Sequence, residues 1–121
     1  MKRSQAYTDA MAELRAVVML QCHGRCWRCQ RGWGLQLHHN GKRKAAGLFN
    51  ETTSIMLCHD CHDWVTHHQT LWDAEVRARD PQFSDLCFLV RHTTLTKKPN
   101  PAAEYRRLRE LRKKMESEEP Q

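Results

Sequence analysis

The chain predicts a small α+β domain, stapled at its centre and flanked by a helix at either end. Three observations predict it. Apolar residues recur at helical spacing near both ends of the chain and again after residue 61. Two short central segments, residues 35–38 and 52–57, read as strands. Two Cys-x-x-Cys pairs, Cys26/Cys29 and Cys58/Cys61, stand at a spacing that can close a tetrahedral zinc site.

Residues 5–21 read as the first helix, with Tyr7, Met11, Leu14 and Val18 as its stripe and Gly24 ending it. The first cysteine pair follows in a tight turn. Leu35 and Leu37 alternate with Gln36 and His38, a strand pattern after the bend marked by Gly32 and Gly34. Residues 40–50 make a basic loop, and Thr52 to Leu57 is β-branched and apolar enough for a second strand. A single helix is expected from Cys61 to Arg79, stopped by Pro81. The apolar run Leu86-Cys87-Phe88-Leu89-Val90 reads as a further strand. Lys97-Lys98-Pro99-Asn100 reads as a linker, and Asn100 can cap a last helix with Pro101 at its first position. Tyr105, Leu108, Leu111 and Met115 stripe that helix opposite Arg106, Arg109, Arg112 and Lys113, and a polar, frayed tail is expected from Ser117. The expected division is one domain over 1–96, with its core at 22–68, then the linker and basic helix over 97–121.

A chain of 121 residues has a limited core, so a structural metal would help it. Its net charge of +6 suits a polyanionic partner. The charge is uneven: residues 1–49 hold nine Lys/Arg against two Asp/Glu, while residues 50–121 hold eleven against twelve. The start, Met1-Lys2-Arg3-Ser4-Gln5, carries no apolar signal stretch, and no apolar run is long enough to cross a membrane. Cytoplasmic residence and a metal rather than disulfides are therefore expected for the six cysteines.

Cys26, Cys29, Cys58 and Cys61 are the expected structural zinc ligands. A lone Cys-x-x-Cys would suit redox work; two pairs do not. Cys22 could compete as a ligand but reads better as a half-buried thiol, and Cys87 reads as core. His38 and His39 are adjacent on a strand, so their side chains diverge and cannot share one task. His62 directly follows Cys61, so the zinc would fix its position. A divalent ion between His38 and His62 could act on a phosphate, and a neutral His39 could take a proton from water near pH 7. Extra zinc ligation or capping is the blander reading of the same histidines. Arg25, Arg28, Arg31, Lys42, Arg43 and Lys44 could follow a phosphate backbone. Trp27, Trp33 and Trp64 read as packing around the zinc turns.

These residues resemble the HNH endonucleases, the ββα-metal nucleases. The shared pattern is Cys26-x-x-Cys29, then Leu37-His38-His39, then Leu57-Cys58-His59-Asp60-Cys61-His62. It covers roughly residues 22–68, and the continuation is similar to short bacteriophage-encoded HNH proteins. The resemblance implies that His38 and His62 hold a catalytic ion and that His39 is the general base. The family's middle Asn falls on Thr53, with Asn50 the nearest Asn in the loop, so one of these two is expected to brace the site. The family's further ligand, one helical turn on, falls on Thr66, with His67 beside it as a possible third ligand.

The resemblance thus implies an enzyme that hydrolyses DNA phosphodiester bonds. Its cofactors would be a structural Zn2+ and a catalytic Mg2+, Mn2+, Ni2+ or Zn2+. A non-catalytic zinc module that binds nucleic acid or protein is the first alternative. A nuclease subunit of a phage DNA-packaging machine, working with a terminase-like partner, is the second. The last helix is expected to pack or to form a homodimer.

Overall fold

The computed structural model of the chain describes residues 4–95 and 97–118, the side chain of residue 45 excepted. The elements run α1 (Gln5–Gln21), β1 (Leu35–His39), a 3-10 turn (Ala45–Gly47), β2 (Ser54–Cys58), α2 (His59–His67), α3 (Gln69–Arg79), α4 (Pro81–Arg91) and α5 (Pro101–Glu118). The result is a mostly helical α+β fold around one two-stranded antiparallel ribbon. No helix among the described residues is long and apolar enough to cross a membrane. The start at Met1–Arg3, the boundary residue Thr96 and the last three residues of the tail lie outside the described residues.

Helix α1 begins where the Ser4 hydroxyl accepts the Tyr7 N–H at 3.1 Å. It ends in two left-handed residues, His23 (φ 54°) and Gly24 (φ 69°), the latter donating its N–H to Met19 at 3.0 Å. The strands pair in the register Leu37↔Met56 and His38↔Ile55. The period-2 alternation then sorts the ribbon's faces. Ile55 and Leu57 join Cys26, Cys61, Val65, Trp72 and Val76 in one core. Met56 faces the other, with Leu14, Val17, Val18, Phe49 and Leu108.

Three expectations are corrected. The segment 61–79 is two helices, broken at His68 (φ −135°, ψ 49°). There the His67 and His68 rings bond the carbonyls of Asp63 (2.8 Å) and Trp64 (2.9 Å), satisfying groups a continuing helix would have used. The run 86–90 is helix, not strand. Asp80 caps α4 through the Phe83 N–H at 3.0 Å, and Pro81 starts this helix as well as ending the previous one. Leu86, Phe88 and Leu89 stay exposed and only Cys87 is buried, so the apolar run is not a core strand. Finally, where a frayed tail is expected from Ser117, α5 stays helical to Glu118. Leu108 is fully buried in the α1 core, and Arg112 bonds Glu13 at 2.6 Å.

Candidate metal centre and histidine cleft

Two turns present the sulfurs. In the first, the Cys29 N–H points at the Cys26 sulfur (3.5 Å), and Trp27 N–H bonds the Met56 carbonyl (2.8 Å), tying the turn to β2. In the second, Cys58 ends β2 and caps α2, its sulfur accepting the Cys61 N–H at 3.4 Å. All four sulfurs lie within 4.8 Å of one another, and the Cys29 and Cys58 sulfurs are 3.6 Å apart. A tetrahedral zinc with bonds of ~2.3 Å needs sulfurs roughly 3.8 Å apart. All six cysteines are free thiols. The donor set therefore fits a structural zinc. Burial pushes the Cys61 thiol up to about 12, against the pull of the Arg28 guanidinium 3.8 Å away. Burial raises Cys26 too, but the backbone N–H groups of Cys29, Cys58 and Arg28 outweigh it and bring that thiol to about 7. Four crowded sulfurs cannot all ionise without a cation to offset them. Cys22 lies outside the cluster, its thiol raised by burial, and Cys87 is buried core.

The His38 and His62 rings meet edge to face, 5.5 Å between centroids. Burial, then the nearby His62, hold His38 down at about 4, so it is neutral at pH 7. Its Nε2 lies 3.2 Å from the Asn40 Oδ1, an atom that also accepts the Trp72 indole N–H at 2.7 Å. With the indole proton and the imidazole proton both directed at Oδ1, His38 carries its hydrogen on Nε2 and its lone pair on Nδ1. Asn40 is 5% exposed and also donates to the Cys87 sulfur at 3.3 Å, while its carbonyl accepts Arg91 at 3.0 Å. Nothing in the sequence singles it out, because its partners lie 32, 47 and 51 residues away.

His39 points to the other face, as strand alternation requires, yet both rings border one cleft of about 310 Å³ with Asn40, Lys42, Gln69 and Arg91. Its Nε2 donates to the Leu48 carbonyl at 3.0 Å. Burial lowers its pKa below 6.5, with the Arg43 charge helping and the Leu48 bond opposing. Asn50 braces this loop, donating to the Ala46 carbonyl (3.3 Å) and accepting the Thr52 N–H (2.9 Å). Thr53 is fully buried, and its hydroxyl has no partner among the described residues. Only its backbone carbonyl bonds toward the site, to the Asn40 N–H at 2.9 Å.

Other expected residues stand apart. His67 is exposed on α2 and occupied by Asp63, and no group of three histidines gathers among the described residues. Arg28 pairs with Glu75 (2.8 Å) and covers Trp64, and Arg31 pairs with Asp60 (2.9 Å) and covers Trp33. Arg25 donates to the Gln30 carbonyl at 3.1 Å. Trp27 packs edge-on to Trp72 at 5.5 Å, whereas Trp33 is 69% exposed. Comparison with protein-family models, curated proteins and solved structures gives no match.

Proposed function

We propose that this protein is a small metal-dependent endonuclease of the HNH type, hydrolysing DNA phosphodiester bonds. The observation that carries this reading is the meeting of His38 with His62, the residue after Cys61, while His39, anchored to a backbone carbonyl, borders one cleft with His38. Zinc on Cys26, Cys29, Cys58 and Cys61 would hold the two turns in place. A divalent ion on His38 and His62 would supply a Lewis acid to the scissile phosphate and its leaving oxygen. A neutral His38 suits that duty: burial keeps it neutral against the opposing pull of the Asn40 bond, while Asn40 orients the ring through its Nε2 proton.

His39 does the proton work. Leu48 holds its Nε2 proton, so Nδ1 has the lone pair. That nitrogen takes a proton from water as the water oxygen bonds to phosphorus, and the bond to the leaving oxygen breaks on the opposite side. A depressed pKa keeps the base in its working form at neutral pH. Asn50, rather than Thr53, is the residue whose side chain braces the loop that carries Leu48.

Zinc-loaded protein should nick supercoiled plasmid with at least one of Mg2+, Mn2+, Ni2+ or added Zn2+. His39→Ala should cut the rate roughly 100-fold or more. If the wild type and His39→Ala are equally inert with every ion, the enzyme reading is lost. The unbonded Thr53 hydroxyl, where the HNH pattern has Asn, favours one rival: a zinc module that binds nucleic acid without cutting it. That rival predicts salt-sensitive binding, no nicking, and full affinity in His39→Ala.

A further inference from the structure

Two cavities join along the α1 side of the ribbon. One, of about 390 Å³, is bordered by His39, Leu37, Tyr7, Arg15 and Arg43. The next, of about 690 Å³, shares Tyr7 and Arg43 and continues past Leu48 and Phe49 to Leu95 and Pro99. Together they form a groove leading from His39 to the segment before α5. Its floor is apolar and its rim is cationic, with Arg15, Arg43, Lys44, Lys97 and Lys98 all exposed.

Two features mark these five cations. No carboxylate lines either cavity. None of the five has an ion pair or a side-chain hydrogen bond among the described residues. Other arginines are neutralised where they stand: Arg28 by Glu75, Arg31 by Asp60, Arg107 by Glu51 and Arg112 by Glu13. Five unpaired charges therefore border one path that ends at His39; Lys42, Arg106, Arg109 and Lys114 are also without an ion pair among the described residues but border neither cavity.

The geometry points to this groove as the seat of a DNA strand, its phosphates on Arg43, Lys44, Lys97 and Lys98 and its scissile bond delivered to His39. A cationic rim over an apolar floor suits a sugar-phosphate chain, whose charges face outward while its sugars and bases meet the floor. The zinc turns, with Arg28 and Arg31 already paired, are then not the contact surface. The assignment rests on the nuclease reading for its last step only, since binding needs no cutting.

The test is fluorescence anisotropy of the zinc-loaded full chain without added divalent ion, over a salt series. The probes are one oligonucleotide as single strand and as duplex, and a glutamate-rich peptide. In Arg43→Gln/Lys44→Gln/Lys97→Gln/Lys98→Gln, affinity should fall at least roughly tenfold and the log–log salt slope should shrink by about 3. The Arg25→Gln/Arg31→Gln variant should keep both. The four groove side chains and Arg25 are exposed and Arg31 is half-buried, and unchanged melting would show the fold intact in each variant. The tighter of the two DNA arms names the strand form seated. An unchanged slope in the fourfold variant, no DNA binding by the wild type, or peptide binding as tight as DNA would each overturn the groove. Binding without nicking would remove the catalytic reading and leave the groove standing. Undiminished nicking by the fourfold variant would do the reverse.

Discussion

Asn40 places the most demand on a single side chain. One oxygen serves both His38 and Trp72, and the amide reaches Cys87 on α4. Asn40→Leu strips these bonds and leaves a buried indole N–H unsatisfied. It should destabilise the protein by about 2–4 kcal/mol in denaturant melts. Divalent-ion affinity, measured by calorimetry, should also fall about tenfold or more, because His38 loses its orienting partner. Cys87→Ala removes only the sulfur contact and should leave that affinity unchanged; equal losses in the two variants would show that Asn40 is merely structural. His38 gives a pH signature. Its folded pKa, about 4, lies below the usual 6.5 because of burial and then His62. Above 6.5 the ring is neutral folded or unfolded. As pH falls from 6.5 toward 4 the unfolded chain takes the proton more readily, so stability falls, by roughly 3 kcal/mol in all. Below about 4 this contribution is gone. The difference between wild-type and His38→Asn stability, measured in zinc-loaded protein, should follow that window. A flat difference would contradict it.

Element-scale geometry turns on the loop between the strands. Gly47 closes it: a Cβ there would sit 2.1 Å from the Lys42 carbonyl and 2.6 Å from that of Gly41, both backbone. Gly47→Ala must therefore displace the loop that delivers the Leu48 carbonyl to His39. A stability loss of about 1–3 kcal/mol and weaker nicking are expected, and unfolding curves coincident with wild type would refute the loop's role. The elements also show where a pattern of residues stops being decisive. Strand β1 was legible from its alternation and β2 from its β-branched, apolar composition. The 86–90 run was not, because a short apolar run fits strand and helix alike until its neighbours choose which side chains are covered. Here α3 covers one face of α4 and leaves Leu86, Phe88 and Leu89 outside.

The whole molecule carries two cores on opposite faces of one ribbon, and only one contains residues of the four-cysteine cluster. Removing zinc should therefore act unequally. With a strong chelator, the fluorescence and near-ultraviolet signals of Trp27 and Trp72 should change first, and the melting temperature should drop by more than about 10 °C. The helical signal should fall less, since α1 and α5 share the core that lacks the four clustered cysteines. A single transition losing both signals together would argue against this division. The amino-acid order alone determined which four cysteines cluster, the divergence of His38 and His39, and the helices at both ends. Each of these follows from spacing within a few residues, where backbone geometry is already set. Only the tertiary structure decided that Asn40 orients His38, that Arg28 and Arg31 are spent on carboxylates, and that five unpaired cations border the groove beside His39. Those outcomes depend on which distant groups come within hydrogen-bond reach, and that distance exists only once the chain is folded.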